Sequence, residues 1–541
     1  MRLINILGFI IIFVTFQSQA ALSPRVDTPR SNDFLFIDNK EDSNYFVTPL
    51  ARLDPRLTGG NVWTTLKHTR QKSLAYVSFY THYTDSLNYN FDMWETDSPI
   101  SYPYINQRCI YSYSRCDPET SGAAAQPILV DDKGFYKVNP MADGWHHALI
   151  SSNFFEYLKS MPLGSTLTRT MNSCETREDY NPLLGQRCID MNTGTWRQQT
   201  ISHVKNAHLT FERTNAISEL MVDSSGNAII LPGSVGCELG SATLRGEGVI
   251  CEFLRYDLQN TGEAKFTTIN LSTEVKGGMT VPSNYDLQMS INKSDWVING
   301  ANLRLDKLIG YNTVYIFMSN AFLKKMFDLG LENVKTRDLV NFQFYNSYSP
   351  ESGYYDISGT TEIIVKPREF SVSIIPEDGF SKPHQEGTVG QDVLSFGYNI
   401  ITSAPTTATN LEISLSQDKN YGVPNLNYLD YCNFYPEGSF DVNKSVAVPV
   451  RLSFMTNSGS KYNELIDCWG RTVSLLENDI AKSQSSIIDL LPDGSPVFTD
   501  FYNIKLNFDL KDSSLELTYD GSLWEGYVHQ SGEVRVSASW N

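Results

Sequence analysis

The feature that most constrains the fold of this chain is a repeated alternation of apolar and polar residues with a period of two. The stretch SGEVRVSASW (531–540) places single polar residues between Val534, Val536, Ala538 and Trp540. Because successive side chains of a β-strand point to opposite faces, this alternation predicts a strand with one buried face. LTFER, EIIVK and FSVSII show the same pattern, and Gly, Pro, Asn and Asp separate such runs. We therefore expect an all-β chain of tandem immunoglobulin-like β-sandwich modules.

The first twenty residues have the pattern of a secretory signal peptide. Arg2 supplies a basic region, Ile6–Phe16 an apolar core and Ser18–Ala20 a small-x-small cleavage site. A membrane anchor is the alternative, but the apolar core is shorter than the ~20 residues that span a bilayer. The net charge of −18 repels phosphate groups, which argues against nucleic acid and anionic lipid surfaces as partners.

Eight cysteines in an exported chain favour disulfide bonds. They are Cys109, Cys116, Cys174, Cys188, Cys237, Cys251, Cys432 and Cys468. Sequence alone leaves about 105 pairings open. Loop-closure entropy favours neighbours, which pairs 109 with 116, 174 with 188, 237 with 251 and 432 with 468. A zinc site is the alternative, but no C-x-x-C spacing occurs, and we expect neither a metal nor another cofactor.

One local pattern that occurs twice predicts short helices. SNFFEYLKSMPLG (152–164) matches SNAFLKKMFDLG (319–330), with Asn153 and Asn320 at the same place. Asparagine is a good N-cap, and the apolar residues recur at helical spacing. Each stretch therefore predicts a short amphipathic helix that crosses between sheets.

A second repeat marks the ends of modules. GYYDISGTTEIIV (353–365) matches GYVHQSGEVRV (526–536), and both finish in an apolar strand. AHLTFER (207–213) is a third candidate for a closing strand. We therefore divide the chain near residues 214 and 366, which gives modules 21–214, 215–366 and 367–541.

No catalytic motif stands out. G-x-S-x-G, H-E-x-x-H and G-x-x-x-x-G-K-[ST] are all absent from the sequence. His146 and His147 adjoin, but neighbouring strand residues point to opposite faces, so we expect structural histidines rather than metal ligands. Carboxylates are plentiful, and a glycosidase needs only two at a suitable separation, so a secreted carbohydrate-active enzyme stays an alternative.

Aromatic residues concentrate between residues 76 and 104. Flat rings with polar groups are good contact residues, so this region is the candidate binding surface. The candidates for receptor contact are Tyr80, Tyr83, Tyr89, Trp94, Tyr102 and Tyr104. The alternative for each ring is packing in a sandwich core.

Four longer stretches resemble one known family. They are FVTPLARLDPRLTGGNVWTTLK (46–67), SPESGYYDISG (349–359), KPREFSVSII (366–375) and SGEVRVSASW (531–540). These stretches are similar to the tip adhesins of common pili, in the alternate class of chaperone–usher pili. The resemblance runs through most of the chain and includes all eight cysteine positions.

The resemblance implies a non-enzymatic adhesin that attaches to host cells or surfaces and supports biofilm formation. It implies an adhesive region, which our boundaries split into 21–214 and 215–366, and a C-terminal pilin domain, 367–541. A pilin domain of this family is an immunoglobulin-like sandwich that lacks one strand. Its groove is filled first by a periplasmic chaperone and then, at the outer-membrane usher, by the N-terminal extension of the major pilin. The implied location is the pilus tip, and the receptor stays open among glycan, protein and abiotic surface.

In such a pilin domain the last strand borders the groove. Val534, Val536, Ala538 and Trp540 would then face the core and form the strand that binds chaperone or pilin. Many family members carry tyrosine where this chain has Trp540.

A polymerising structural subunit without receptor binding is the alternative to a tip adhesin. Such a subunit needs a free N-terminal donor strand. In residues 21–33 (ALSPRVDTPRSND), Leu22 and Val26 lie at alternating positions and would share one face of a strand. Pro24 and Pro29, however, lack the backbone N–H that a donor strand uses. We therefore expect a poor donor strand and favour the tip position.

Overall fold

The computed structural model is dominated by β-strands, and strand accounts for most of its regular structure. It describes residues 22–40, 42–50, 57–65, 72–77, 83–84, 89–109, 124–139, 144–212, 214, 216–223, 225–231, 233–262, 265–329, 335–367, 370–418, 431–439, 441–490 and 496–540. The predicted signal peptide, Tyr80 and Cys116 lie outside these residues. Among the residues that the structure describes, none of the helices has the length and apolar composition that a bilayer crossing requires.

The N-terminal unit, residues 22–211, is a layered β-structure with one helix. Its strands are β1 (Pro24–Asn39), β2 (Asn44–Pro49), β3 (Leu57–Gly60), β4 (Thr64–Thr65), β5 (Lys72–Ser73), β6 (Tyr76–Val77), β7 (Tyr83–Thr84), β8 (Asn90–Thr96), β9 (Tyr104–Cys109), β10 (Ala124–Ala125), β11 (Leu129–Val130), β12 (Gly134–Val138), β13 (Gly144–Ile150), β14 (Thr166–Thr176) and β15 (Thr195–Phe211). Helix α1 (Ser152–Ser160) lies between β13 and β14. The core of this unit is almost fully shielded from solvent and contains Phe34, Phe91, Phe154 and Met171.

Strand β1 pairs along its whole length inside this unit. It runs parallel to β15, from Pro24 opposite Trp196 to Asn39 opposite Phe211. Its second half also pairs antiparallel with β2. The register shifts between Asp27 and Arg30, around Pro29, and proline is tolerated in strands at such irregularities.

The middle unit, residues 216–367, is a β-sandwich with two short helices. Its elements are β16 (Ile217–Val222), β17 (Ala228–Ile230), β18 (Cys237–Ala242), β19 (Arg245–Asn260), β20 (Ile269–Val275), β21 (Leu287–Ser290), β22 (Val297–Ile298), β23 (Leu303–Arg304), β24 (Thr313–Ser319), α2 (Asn320–Asp328), α3 (Thr336–Leu339), β25 (Val340–Asn346), β26 (Tyr355–Ser358) and β27 (Glu362–Pro367). Strands β18, β19, β24, β21 and β22 pair in one layer, and β23, β20, β25 and β26 form a separate sheet. Helix α2 follows β24 and leads toward the second sheet, as the predicted crossover requires.

The N-terminal and middle units share strands. Strand β15 pairs with β19 through Ala207–Phe211, so the large sheet continues across the predicted boundary near residue 214. Alternate side chains of β1 enter different cores: Phe34 packs in the N-terminal core, and Leu35 packs in the middle core. The boundary near 214 therefore divides the sequence but cuts through one continuous sheet.

The C-terminal unit, residues 370–540, is a β-sandwich of two sheets. Its strands are β28 (Ser371–Pro376), β29 (Val393–Ala404), β30 (Asn410–Gln417), β31 (Tyr431–Pro436), β32 (Val446–Met455), β33 (Lys461–Ile466), β34 (Val473–Ser474), β35 (Gln484–Leu490), β36 (Pro496–Asp509), β37 (Val528–His529) and β38 (Gly532–Ser539). One sheet runs β28–β29–β36–β32–β31–β37, with β33 on β32 and β35 on β36. The other sheet runs β34–β30–β38. This arrangement agrees with the predicted class of tandem β-sandwiches.

A small apolar cluster joins the middle and C-terminal units. Ile217 and Met221 of β16 pack with Ile375, Ile401 and Phe501 of the C-terminal unit. The backbone N–H of Ile217 donates to the carbonyl of Gly379 at 2.9 Å. The C-terminal unit is thus packed against the middle unit rather than joined to it by the linker alone.

The two predicted helices exist, but their caps differ from the prediction. Ser151 Oγ accepts the N–H of Phe154, and Ser319 Oγ accepts the N–H of Phe322. Asn153 and Asn320 are therefore not N-caps, because each lies within the first turn and the extended residue before the helix is a serine.

Three of the neighbouring cysteine pairs are bonded. The structure joins Cys174 to Cys188, Cys237 to Cys251, and Cys432 to Cys468. The predicted pair of Cys109 and Cys116 lies outside the described side chains. The bonded pairs connect residues 14, 14 and 36 positions apart, as the loop-closure argument favours.

Candidate functional site

Strand β38 forms an open edge of the C-terminal unit. It pairs with β30 from Gly532 opposite Gln417 to Ser539 opposite Asn410, and no described strand pairs with its other side. Asp418 N–H donates to the carbonyl of Ser531 at 2.8 Å, which fixes the hydrogen-bonding phase of the ladder. Because this phase alternates along an antiparallel pair, the backbone groups of Val534 and Val536 point to the open edge.

The side chains of β38 alternate as the sequence predicts. Val534, Val536 and Ala538 are half-buried against the core of the C-terminal unit, and the residues between them are exposed. Leu411 and Ile413 of the neighbouring β30 face the same core and are at most 1% exposed. The core is therefore sealed beside β30 and incompletely covered beside β38.

Strand β28 forms the opposite rim. It lies at the edge of the larger sheet, where it pairs with β29. Val372 and Ile374 are half-buried against the same core as Val536. Within the described residues β28 and β38 do not pair with each other, and we call the apolar surface between these two edge strands the open groove, lined by Val372, Ile374, Val534, Val536 and Ala538.

Two aromatic rings close one end of the open groove. Phe370 precedes β28 and Trp540 follows β38, and their rings meet edge to face with centroids 5.9 Å apart. Phe370 is 58% exposed and has a φ of +53°, a conformation that costs a bulky residue roughly 1–2 kcal/mol. Trp540 thus lies at the end of the groove, with its ring against the start of the opposite rim.

The candidate aromatic residues of the N-terminal unit occupy different environments. Tyr102 is 51% exposed, and Trp94 is half-buried. Tyr89 is also half-buried, with the Arg177 guanidinium 4.8 Å from its ring centre. Tyr80 and the side chain of Tyr83 lie outside the described residues. Tyr102, Trp94 and Tyr89 therefore keep exposed surface, and Arg177 lies against the Tyr89 ring.

The prediction that Tyr104 contacts a receptor is wrong. Tyr104 is 1% exposed and packs against Phe135 and Phe154 in the N-terminal core. Its hydroxyl donates to Glu95, which also forms an ion pair with Arg169. Strand β9 begins at Tyr104, and the pleat turns this ring inward, whereas the exposed Tyr102 lies in the preceding turn.

The buried carboxylates of the N-terminal unit have partners. Glu95 pairs with Arg169, and both side chains are fully buried. Asp92 accepts hydrogen bonds from the Tyr180 hydroxyl and from the N–H groups of Cys188 and Lys137. Burial raises the pKa of Asp92, and these donors oppose the shift. Within the described residues, no group of three or more His, Cys, Asp or Glu side chains is placed to hold a metal ion.

One half-buried aromatic residue was missed by the sequence reasoning. Trp196 is the second residue of β15, and its ring centre lies 6.0 Å from that of Trp94. It falls outside the aromatic-rich segment 76–104, so composition gave no signal. Strand β14 pairs with β15 on one side and with β8 on the other, and the register of these two pairings brings Trp196 beside Trp94.

The sequence matches three family models in order. Residues 22–209 match the N-terminal domain of the E. coli common pilus adhesin EcpD, residues 213–362 its middle domain, and residues 369–538 the EcpD C-terminal domain. The fimbria adhesin EcpD of Escherichia coli strain K12 is 33% identical over 559 residues, covering 99% of this chain and 98% of that protein. EcpD of E. coli O127:H6 strain E2348/69 is also 33% identical, over 562 residues and 99% of each protein.

Solved structures show only distant similarity. A chaperone–tip adhesin complex of CFA/I fimbriae matches with 10% identity and a TM-score of 0.19, over 60% of this chain and 85% of that one. The CsuC–CsuE chaperone–tip subunit complex of Acinetobacter baumannii Csu pili matches with 10% identity and a TM-score of 0.17, over 56% and 99%. Both TM-scores are below the level that indicates a shared fold. On the three family models and the full-length relatives, the chain belongs to the EcpD family of fimbrial adhesins.

Proposed function

We propose that this chain is the tip adhesin of a chaperone–usher pilus and that its C-terminal unit docks to the shaft by donor-strand complementation. The observation that carries the proposal is the open groove. An incoming strand would pair with the outward backbone groups of Val534 and Val536 and bury its alternate side chains against Val372 and Ile374. Such pairing removes an exposed edge that otherwise favours aggregation.

The proposal assigns two successive occupants to the groove, with the exchange between them at the outer-membrane usher. A periplasmic chaperone covers β38 after export, the outer-membrane usher receives the complex, and the N-terminal extension of the major pilin replaces the chaperone. Each partner that fills the groove needs an extended segment with alternating apolar residues, because the groove offers a row of half-buried apolar side chains. The chain would then stand at the cell surface, at the end of the fimbrium.

The structure of β1 favours the tip over a position in the shaft. A shaft subunit donates an N-terminal strand to its neighbour, but residues 24–39 already pair with β15 and β2 of their own unit. Leu22 packs beside the Cys174–Cys188 disulfide, and its N–H donates to the carbonyl of Ile189 at 2.8 Å. Releasing this strand as a donor would break its pairing with both neighbours.

We assign receptor binding to the first two modules and docking to the third. Residues 21–214 and 215–366 form the adhesive region, and residues 367–541 form the pilin domain. A non-enzymatic role fits the buried carboxylates, because Glu95 and Asp92 already serve internal ion-pair and hydrogen-bond networks.

Substitution on β38 tests the docking proposal. Val536→Asp places a charge against the half-buried core, and we expect the variant to be degraded in the periplasm and absent from pili. Ser537→Asp is the matched control, because Ser537 lies on the same strand and faces solvent. The measurements are the periplasmic level of the chain and its recovery with sheared pili. Normal secretion and assembly of Val536→Asp would contradict the proposal.

Labelling of intact pili tests the tip position. Antibody against residues 21–366, detected with gold particles by electron microscopy, should mark one end of each pilus. Regular labelling along the shaft would support the polymerising subunit instead.

A further inference from the structure

The outward face of one sheet in the N-terminal unit carries an ordered array of polar and aromatic side chains. Strands β15, β14 and β8 are adjacent, and their register aligns outward residues in rows. One row holds Gln198, Asn172 and Trp94, and the next holds Thr200, Thr170 and Thr96. Ser202 and Thr168 continue the array, and Trp196 lies at its end. We call these nine residues the platform.

The platform is uncharged, and all of its side chains except the buried Asn172 are partly or fully exposed. Its side chains are Trp, Asn, Gln, Thr and Ser, whereas 19% of the whole chain is charged. In the part of the chain that the structure describes, the strands and helices leave the threonine rows partly or fully exposed. An array without charge offers no counter-charge for sialic acid, sulfate or phosphate groups.

Internal contacts hold the two indole rings in place. The Trp196 Nε1–H donates to Asn172 Oδ1 at 3.1 Å, and Gln198 Nε2 donates to the same oxygen at 3.0 Å. Both tryptophans pack on the cluster that contains the Cys174–Cys188 disulfide. The rings are therefore positioned before any ligand arrives, which lowers the entropic cost of binding.

The platform also keeps hydrogen-bonding groups free. Within the described residues, the side-chain hydroxyls of Thr170 and Thr200 and the Nε1–H of Trp94 make no hydrogen bond. Gly134 lies opposite Trp94 on β12 and has no side chain, and the Tyr136 ring of the same strand lies beside Trp94 with ring centroids 6.4 Å apart. Neighbouring side chains within a row lie on adjacent strands about 4.8 Å apart, a spacing comparable to the width of one sugar ring.

We propose that the platform binds a neutral glycan. The indole faces would stack on the C–H faces of the sugar rings, and the threonine and glutamine groups would bond to sugar hydroxyls. A protein receptor is less suited, because protein interfaces favour larger apolar cores and arginine. This inference rests on the proposed adhesive function and adds the site and the ligand class.

The test uses Trp94→Ala in the whole exported chain, displayed on pili and also purified with its chaperone. Trp63→Ala is the matched control, because Trp63 is 45% exposed in the same unit and lies off the platform. The probes are arrays of neutral, sialylated and sulfated glycans. We expect wild-type and Trp63→Ala to bind neutral glycans and Trp94→Ala to lose about tenfold or more, as removal of a stacked ring does elsewhere.

Two further variants separate recognition from folding. Trp94→Phe keeps a stacking ring and should retain more binding than Trp94→Ala, while Thr170→Val removes one hydroxyl at constant shape and should weaken binding several-fold. Thermal melting of both should match wild-type. Unchanged glycan binding in Trp94→Ala, or preference of the wild-type chain for charged glycans or a bare apolar surface, would overturn the inference.

Cell adhesion distinguishes this inference from the function on which it rests. If bacteria with Trp94→Ala adhere as well as those with Trp63→Ala, the platform is not the binding site, and the adhesin function is unaffected. If bacteria that lack the whole subunit adhere normally, the proposed function itself fails.

Discussion

At the scale of single residues, a charge pair lies in the dry interior of the N-terminal unit. Arg169 Nε and Glu95 Oε1 are 2.5 Å apart, and both side chains are 0% exposed. The Tyr104 hydroxyl donates to the same carboxylate, and the Arg169 guanidinium lies 4.9 Å from the ring centre of Phe154. Each charge is tolerated in this core because the other compensates it.

Removing one partner of this pair should be costly. Glu95→Gln leaves the Arg169 charge buried without a counter-charge, and we expect the unfolding free energy to fall by about 3–5 kcal/mol. The double variant Glu95→Gln with Arg169→Met should recover part of that loss. Denaturant unfolding of the single and double variants measures both effects. Equal stability of Glu95→Gln and wild-type would contradict the buried-pair assignment.

His203 should make the chain less stable in mild acid. Burial, together with the nearby Arg169 charge, lowers the pKa of His203 well below its ordinary value. Between the unfolded pKa of about 6.5 and the lower folded value, the unfolded state binds more protons, so stability falls as pH drops below about 6.5. His203→Gln should flatten this dependence between about pH 6.5 and pH 5, above the range where carboxylates titrate. An unchanged pH profile in a folded variant would refute the assignment.

Some properties of single residues follow from the local sequence pattern, and others depend on how the strands pair. The alternation at Val534 and Val536 follows from local sequence, and the structure reproduces it. Tyr102 and Tyr104 look equivalent in sequence, yet a turn ends between them and only Tyr104 points inward. Trp196 lacked a sequence signal, because its neighbour Trp94 is brought beside it by strand pairing.

At the scale of elements, the two main helices show how a local rule can miss the cap by one or two positions: Ser319 directly precedes Asn320, whereas Ser151 lies two residues before Asn153. Both repeats contain Ser-Asn, and the sequence argument chose asparagine as the cap. In the structure the serines Ser151 and Ser319 hold the extended conformation and accept the first free N–H groups. Which residue becomes the cap depends on where the preceding strand, β13 or β24, ends, and the local sequence does not specify that position.

Cap substitution tests this assignment. Ser151→Ala removes the bond to the Phe154 N–H and should cost about 1 kcal/mol of unfolding free energy. Asn153→Ala is the control, because Asn153 is exposed and, among the residues that the structure describes, its side chain donates one hydrogen bond, to the carbonyl of Ser101. We expect it to cost less than Ser151→Ala. A larger loss for Asn153→Ala in thermal or denaturant unfolding would restore asparagine as the cap.

The most important element that sequence could not supply is the pairing of β1. Two prolines made residues 21–33 a poor donor strand, which local chemistry predicts. Its actual partner, β15, lies about 170 residues later, and nothing in the local sequence specifies a parallel pair over such a distance. Because β1 pairs with β15 and β2, it is not available as a donor strand for another subunit.

At the scale of the whole molecule, the described part of the chain has three large cores linked by shared structure. The N-terminal and middle cores share strands β1 and β15, and a smaller apolar cluster joins the middle and C-terminal units. The boundary near 214 was placed from a closing strand. One strand can fill two cores with its two faces, so a closing strand in sequence need not close a module in space.

This sharing predicts how fragments behave. Residues 21–214 alone would expose Leu35, Ile37, Phe46, Leu209 and Phe211, which belong to the middle core. We therefore expect this fragment to aggregate or melt well below a fragment of residues 21–366, which keeps both cores. Light scattering and thermal melting compare the two. A monomeric 21–214 fragment with the melting temperature of 21–366 would show that the units are independent.

The central claim is that the C-terminal unit lacks a strand beside β38. Hydrogen exchange of the whole mature chain, released from its chaperone, tests this claim most directly when measured with and without a peptide of the shaft pilin's N-terminal extension. The account predicts fast exchange of the Val534, Val536 and Ala538 amides in the free chain, with strong protection and a higher melting temperature once the peptide binds. Slow exchange of these amides in the free chain, unchanged by peptide, would contradict it.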